Sequence, residues 1–254
     1  MRAIILSAGQ GSRLLPLTEN CPKCLLPVGG EPLIARQIQS LYRFGIDEII
    51  VIAGFCARDV EQCVGGFRRP DLKISCVFNP FFGVADNLAS CWMARHHMAD
   101  DFILLNGDTL FEPAIGERLL SAPAAPVTLA IDRKAEYDSD DMKVRLRGSR
   151  LVEVGKTLSN GEVDGESIGM TRFLGDGPRL FAEILDQIMR KTTGLNWWYL
   201  KAIGVLADRG LVETHSIEGL LWTEVDFPHD LERARKMFDR TAELNWPPNQ
   251  GATA

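Results

Sequence analysis

Ala8-Gly9-Gln10-Gly11-Ser12-Arg13 is the first stretch whose residue types suggest chemistry. Gly9 and Gly11 permit close backbone approach, so N–H groups are available to anionic oxygens, and Arg13 adds a guanidinium suited to a phosphate. The segment is not a GxGxxG fingerprint, because Leu14 stands where the third glycine belongs, and no Gly-Lys-Ser/Thr closes a Walker A loop. A tight turn without a ligand is the plain alternative. Asn106-Gly107-Asp108 is the second such segment: it leaves a predicted strand carrying a carboxylate, and ligands of α/β sheets sit beyond the carboxyl ends of strands. Taken alone, an aspartate is a cap or turn residue, and Lys23, between Pro22 and Pro27, is a solvated charge.

The other reactive side chains carry less. Cys21-Pro22-Lys23-Cys24 has the CxxC form, but no second pair or histidine set completes a zinc site. The six cysteines, all within the first 91 residues, read as free thiols of a reducing compartment. His96 and His97 are neighbours on a predicted helix, about 100° apart, and cannot readily grip one metal. His215 and His229 are isolated.

These segments need elements to hold them. Arg2–Ser7 reads as a buried strand, followed by a helix over Pro32–Phe44, a strand Glu48–Ala53, a helix around Asp59 and a strand Lys73–Phe78. A helix Asn87–Met98 and a strand Phe102–Leu105 continue a βαβ rhythm, hence a parallel sheet. After Ser121–Pro126 the texture changes: Val127–Ile131, Met142–Leu146, Leu151–Val154 and Ser167–Phe173 are predicted strands without helices between them, so the sheet turns mixed. Helices are predicted over Pro178–Arg190, Trp197–Leu206 and Leu231–Arg240. The expected fold is α/β: a Rossmann-like three-layer domain with a mixed, mostly parallel central sheet.

At 254 residues, with 46% hydrophobic and 24% charged residues, the composition excludes disorder and collagen. Twenty-eight Lys and Arg against 34 Asp and Glu give a net charge of −6, which argues against a nucleic-acid footprint. No apolar run approaches the roughly 20 residues that span a bilayer, so membrane insertion is not expected and the cytoplasm is the expected location. Nothing in the sequence fixes an oligomeric state.

Read together, Ala8 to Pro32 resembles the signature of the nucleotidyltransferase superfamily that activates sugar phosphates and phospho-alcohols: GxGxRLxPLT followed by PKxLLPVxGxPL. Asn106-Gly107-Asp108 is similar to that family's metal-binding segment, and Trp222 to Pro228 to its closing segment with a second aspartate. Asn79 to Ser90, Asp141-Met142-Lys143-Val144, Val154-Gly155-Lys156 and Glu166 to Met170 look most like the phosphocholine cytidylyltransferase branch. The resemblance implies a Mg²⁺-dependent enzyme joining CTP to a small phospho-alcohol, phosphocholine first, with pyrophosphate leaving. One domain is expected over 1–245, with a nucleotide-binding half to 120 and an acceptor-binding half from 121, and the tail over 246–254 reads as flexible.

The residue roles are carried by the same resemblance. Arg13 and Lys23 would meet the triphosphate, and Lys156 the attacking phosphate. Ala8, Gly9, Gly11, Ser12, Arg13, Asn87 and Asn106 would bind the nucleotide, and Asp108 and Asp226 would share Mg²⁺. For the acceptor, Trp197 and Trp198 offer an aromatic wall to a quaternary ammonium, with Glu166 and Asp86 as carboxylates that could meet it. Two other functions remain open. One is a sugar-1-phosphate nucleotidyltransferase. The other is a catalytically silent, nucleotide-binding regulatory subunit, against which the joint retention of Arg13, Lys23, Asp108 and Asp226 argues.

Overall fold

The strand β1 (Arg2–Ser7) alternates its buried side chains, Ala3 and Ile5 facing one helical layer and Ile4 and Leu6 the other. Both faces are therefore covered, which explains the unbroken apolar run. The computed structural model describes residues 1–67, 69–158, 163–191 and 193–238. After β1 come a short ladder of β2 (Pro27–Val28) and β3 (Glu31–Pro32), then α1 (Leu33–Arg43), β4 (Glu48–Ala53), α2 (Ala57–Gly65) and β5 (Lys73–Phe78). The chain continues through α3 (Asn87–Ala94), β6 (Phe102–Asn106), β7 (Thr109–Phe111) and α4 (Pro113–Ser121).

The second half holds β8 (Val127–Asp132), β9 (Lys143–Arg147), β10 (Arg150–Gly155), β11 (Gly165–Phe173), α5 (Gly177–Met189) and α6 (Tyr199–Ala207). It closes with β12 (Val212–Ser216), β13 (Trp222–Glu224) and α7 (Pro228–Phe238). The predicted end of the last helix, Asp239 and Arg240, and the predicted tail over 246–254 lie outside the described residues.

Strands β5, β4, β1 and β6 are parallel, as the βαβ rhythm requires. The remainder overturns the expected open, mostly parallel, Rossmann-like sheet. β11 runs antiparallel to β6 and β8, β12 is parallel to β8, and β10 is antiparallel to β12 and β9. β9 then returns to β11 through Val144 with Gly165 and Lys143 with Glu166. Five strands, β11, β8, β12, β10 and β9, thus form a closed, mostly antiparallel barrel beside the parallel strands.

The cause lies in β11. Its second half, Met170–Phe173, pairs with β6, and its first residues, Gly165 and Glu166, pair with β9. Between them the register against β8 shifts and Gly169 takes φ +73°, a conformation reserved largely for glycine, so the strand bends out of the open sheet into the barrel. α1, α2 and α4 bury their apolar faces in one core and α3, α5 and α6 in the other, α3 lying against β1 and β4 and α6 against β10 and β12 of the barrel.

Candidate active site

Three strand ends and one short ladder build the site. Beyond β1, the loop turns at Gly11, whose φ is +80°. A Cβ there would lie 2.8 Å from Lys23 Cβ, so only glycine lets the loop rest on that side chain. Leu14 N–H donates to Gly11 O (2.9 Å), Thr18 Oγ1 donates to the same oxygen (2.8 Å), and Lys23 N–H donates to Gln10 O (3.2 Å). The loop and the lysine are thereby one unit.

Beyond β6, Gly107 N–H donates to Leu6 O (3.0 Å), and a Cβ on Gly107 would come 2.4 Å from that oxygen. This close approach carries Asp108 to the end of β1. Asp226 arrives from far along the chain on the β7–β13 ladder: Glu224 pairs with Thr109, and Val225 N–H donates to Asp108 O (3.1 Å). Asp230, at the start of α7, accepts from the N–H groups of Asp226 (3.2 Å) and Phe227 (2.9 Å) and fixes the turn.

Charges then alternate along one line. Lys23 Nζ lies 2.7 Å from Asp108 Oδ2 and 2.8 Å from Asp226 Oδ1. Arg13 Nη1 lies 3.3 Å from Asp226 Oδ2 and 2.8 Å from Asp140 Oδ2. Lys156 Nζ lies 2.7 Å from Asp140 Oδ1 and 4.7 Å from the Trp198 ring centre. Burial works against the Lys23 ammonium, yet the Asp108 and Asp226 carboxylates prevail and hold its pKa above the ordinary lysine value. Burial likewise opposes the Asp226 carboxylate, and Lys23, Arg13 and Lys156 hold its pKa below the usual range. For Glu224 the balance reverses: burial, then Asp108 and Asp226, push its pKa well up against the opposing pull of Lys23.

The line borders a cleft of about 560 Å³. Ala8, Gly9, Gly11, Ser12, Arg13, Asp86, Asn87, Asn106, Asp108, Lys156, Trp198 and Asp226 all line it. Lys23 lies beneath, bonded to two of its walls. Asn87 Oδ1 accepts from Tyr199 N–H (2.9 Å), so it also satisfies the first turn of α6.

Two proposed acceptor residues are placed elsewhere. Trp197 packs against the hydrophobic core, with Lys201 Nζ 4.9 Å from its ring centre. The backbone is extended at both tryptophans, so neighbours point to opposite sides and Trp198 takes the cleft. Glu166 faces a second cavity of about 550 Å³, where Lys134 Nζ lies 3.0 Å away. Burial pushes its carboxyl up to about 7 against the pull of Lys134.

Two residues escape sequence reasoning. Asp140, within the run Asp138-Ser139-Asp140-Asp141, looks like any exposed turn. Glu224 sits two residues before Asp226 and lines both cavities, a placement that period-two alternation could have suggested.

Among the described residues no group of three or more His, Cys, Asp or Glu side chains is set to hold a metal. The Asp108–Asp226 pair still fits Mg²⁺, which is ordinarily bound through one or two carboxylates with substrate phosphate and water. Asp108 Oδ1 is buried and accepts no hydrogen bond, leaving it available for a cation. The six cysteines are free, and no helix among the described residues is long and apolar enough to cross a membrane.

The CMP-5'-(3-aminopropyl)phosphonate synthase of Streptomyces rubellomurinus is 30% identical over 96% of this chain. The bifunctional IPC transferase and DIPP synthase of Aquifex aeolicus is 27% identical over 94%. The chain spans only 40% and 52% of the length of these curated relatives. The inositol-1-phosphate CTP transferase of T. maritima superposes with a TM-score of 0.80 at 20% identity, covering 100% of this chain and 98% of that one, a likeness of fold. The matches come from several branches of the superfamily, and none stands out over the others. Members typically depend on a divalent metal. Residues 3–151 match the model of the MobA-like NTP transferase domain, and the chain belongs to that family, whose chemistry is transfer from a nucleoside triphosphate to a phospho-group.

Proposed function

We propose that this nucleotidyltransferase uses CTP and a small phosphorylated or phosphonylated alcohol, phosphocholine being the first acceptor to test. The observation that carries the reading is the convergence of Arg13, Lys23 and Lys156 with Asp108 and Asp226 along one cleft, although they are drawn from four distant segments. Two of the relatives named above carry CMP or CTP together with a phosphonate or a phospho-alcohol in their names, which supports the choice of nucleotide and acceptor class.

In this reading the acceptor's phosphate or phosphonate oxygen attacks the α-phosphorus and the bond to the β-phosphate breaks, with pyrophosphate carrying away the electron pair. Two anions must meet, so the protein's task is positioning and charge neutralisation. Arg13 and Lys23 take the triphosphate and its developing charge, and Lys156 takes the acceptor phosphate. The backbone of Ala8–Ser12, with Asn87 and Asn106, holds the nucleotide. Trp198 and Asp86 meet the acceptor's other end. Mg²⁺ held by Asp108 and Asp226 would screen the phosphates.

Pyrophosphate release measured with CTP, UTP, dTTP, ATP and GTP, each against phosphocholine, aminoalkylphosphonates, inositol 1-phosphate and hexose 1-phosphates, tests the proposal. Release with CTP and a phospho-alcohol or phosphonate is expected. Turnover confined to a hexose 1-phosphate rejects it.

A further inference from the structure

Asp140 is the one carboxylate of the charged line that the proposed chemistry leaves without a task. Asp108 and Asp226 have the metal, whereas Asp140 lies at the acceptor end, 2.8 Å from Arg13 Nη1 and 2.7 Å from Lys156 Nζ. It borders both cavities. Its backbone is held by a turn of its own, since its N–H donates to Asp138 Oδ1 (2.7 Å) and Asp138 N–H donates to Asp141 Oδ2 (2.7 Å). Lys134 then ties Asp141 (2.7 Å) to Glu166 (3.0 Å) on the barrel strand β11. One carboxylate, presented on an anchored turn, thus uses its two oxygens to span two cations that belong to different halves of the chain.

We propose that Asp140 is a built-in competitor for substrate phosphate: it occupies Arg13 and Lys156 in the phosphate's stead and is displaced when the phosphate arrives. This rests on the reading that those two cations meet phosphate. A carboxylate and a phosphate ask the same of a guanidinium and an ammonium, paired oxygens bearing negative charge, so both cannot hold these donors at once. The two pairs are partly exposed, with side-chain accessibilities of 45% for Arg13, 38% for Asp140 and 23% for Lys156. Such pairs are weak enough to exchange. The consequence is a lowered affinity for every phosphate that reaches this end of the cleft, product included. Conversion of the acceptor's dianionic phosphate into the monoanionic bridge of the product removes one charge from the group facing Lys156, so Asp140 reclaims Lys156, and Arg13 as pyrophosphate departs, and hastens release.

The test is the binding of inorganic pyrophosphate and methyl phosphate, measured by calorimetry on the full chain, its Asp140→Asn and Asp140→Ser variants and Lys156→Ala. Both Asp140 variants should bind each anion about three- to tenfold more tightly than the parent, the effect of losing two partly exposed pairs. An unfolded variant cannot tighten binding, so a purely structural role predicts the opposite sign. Unchanged or weaker binding in a folded Asp140 variant overturns the proposal. Should a variant fail to fold, a crystal of the parent protein soaked in methyl phosphate decides: Asp140 turned away from Lys156 is expected, and Asp140 still bridging both cations beside a bound phosphate overturns it. If Lys156→Ala binds methyl phosphate as tightly as the parent, the reading of Lys156 as a phosphate partner falls with it. Tighter anion binding with no pyrophosphate release from any nucleotide would instead leave this inference standing and reject the proposed reaction.

Discussion

At the scale of single residues, Lys23 carries the greatest electrostatic burden, because it separates two carboxylates that would otherwise repel across a partly buried space. Lys23→Ala is expected to lower kcat by about 10²- to 10³-fold, the cost of one preorganised charge contact to a developing anion. Steady-state pyrophosphate release measures it, and a variant with unaltered turnover would remove Lys23 from the mechanism. Glu166 offers a stability readout. Its pKa in the folded protein is raised to about 7, above the usual carboxylate value near 4.3, so its contribution to stability is full below that usual value and is lost as pH rises towards 7. Glu166→Gln should therefore flatten the fall in Tm between pH 4.5 and 7, with a relative gain on the order of 1–3 kcal/mol at the upper end. A pH profile parallel to the parent's would contradict the burial argument.

At the scale of elements, the site depends on backbone approach as much as on side chains. Gly107→Ala would drive a methyl against Leu6 O and Ser7, separating the ends of β1 and β6 and withdrawing Asp108 from Lys23. Loss of about 2 kcal/mol or more in chemical denaturation, together with loss of turnover, is the expected outcome. Legibility at this scale followed length and pattern. The bounds of β4 and β5 are read directly from the sequence, since each is a six-residue run rich in β-branched residues and ended by a turn. α4 carries no legible helical pattern, because Gly116 interrupts it; the glycine is there to admit the ring of Phe44, the residue that follows α1. β12 is a polar-looking, only partly buried strand whose place is set by its parallel pairing with β8. β7 and β13, three residues each, carry too little pattern to be recognised, although they bring Asp226 to Asp108.

At the scale of the whole molecule, a parallel sheet and a closed barrel meet where β6 pairs with β11 along one antiparallel seam. The two parts should not open together. β1 is paired on both sides over nearly its whole length, to β4 and to β6, whereas β9 closes the barrel against β11 through two residue pairs. Amide hydrogen exchange should accordingly show earlier exchange in β9 than in β1, by local opening rather than global unfolding. Equal protection in the two strands would indicate a single cooperative unit instead.

The alternation of strands and helices in the first half, the glycine-bearing loop and the residue types able to meet a polyphosphate are legible in the chain alone. These depend on local periodicity and on the identity of a few residues. Closure of the second half into a barrel, the entry of Trp198 rather than Trp197 into the cleft, and the span of Asp140 across Arg13 and Lys156 emerge only in three dimensions. Each of those outcomes depends on contacts between residues far apart in the chain, and no local pattern encodes where such partners will meet.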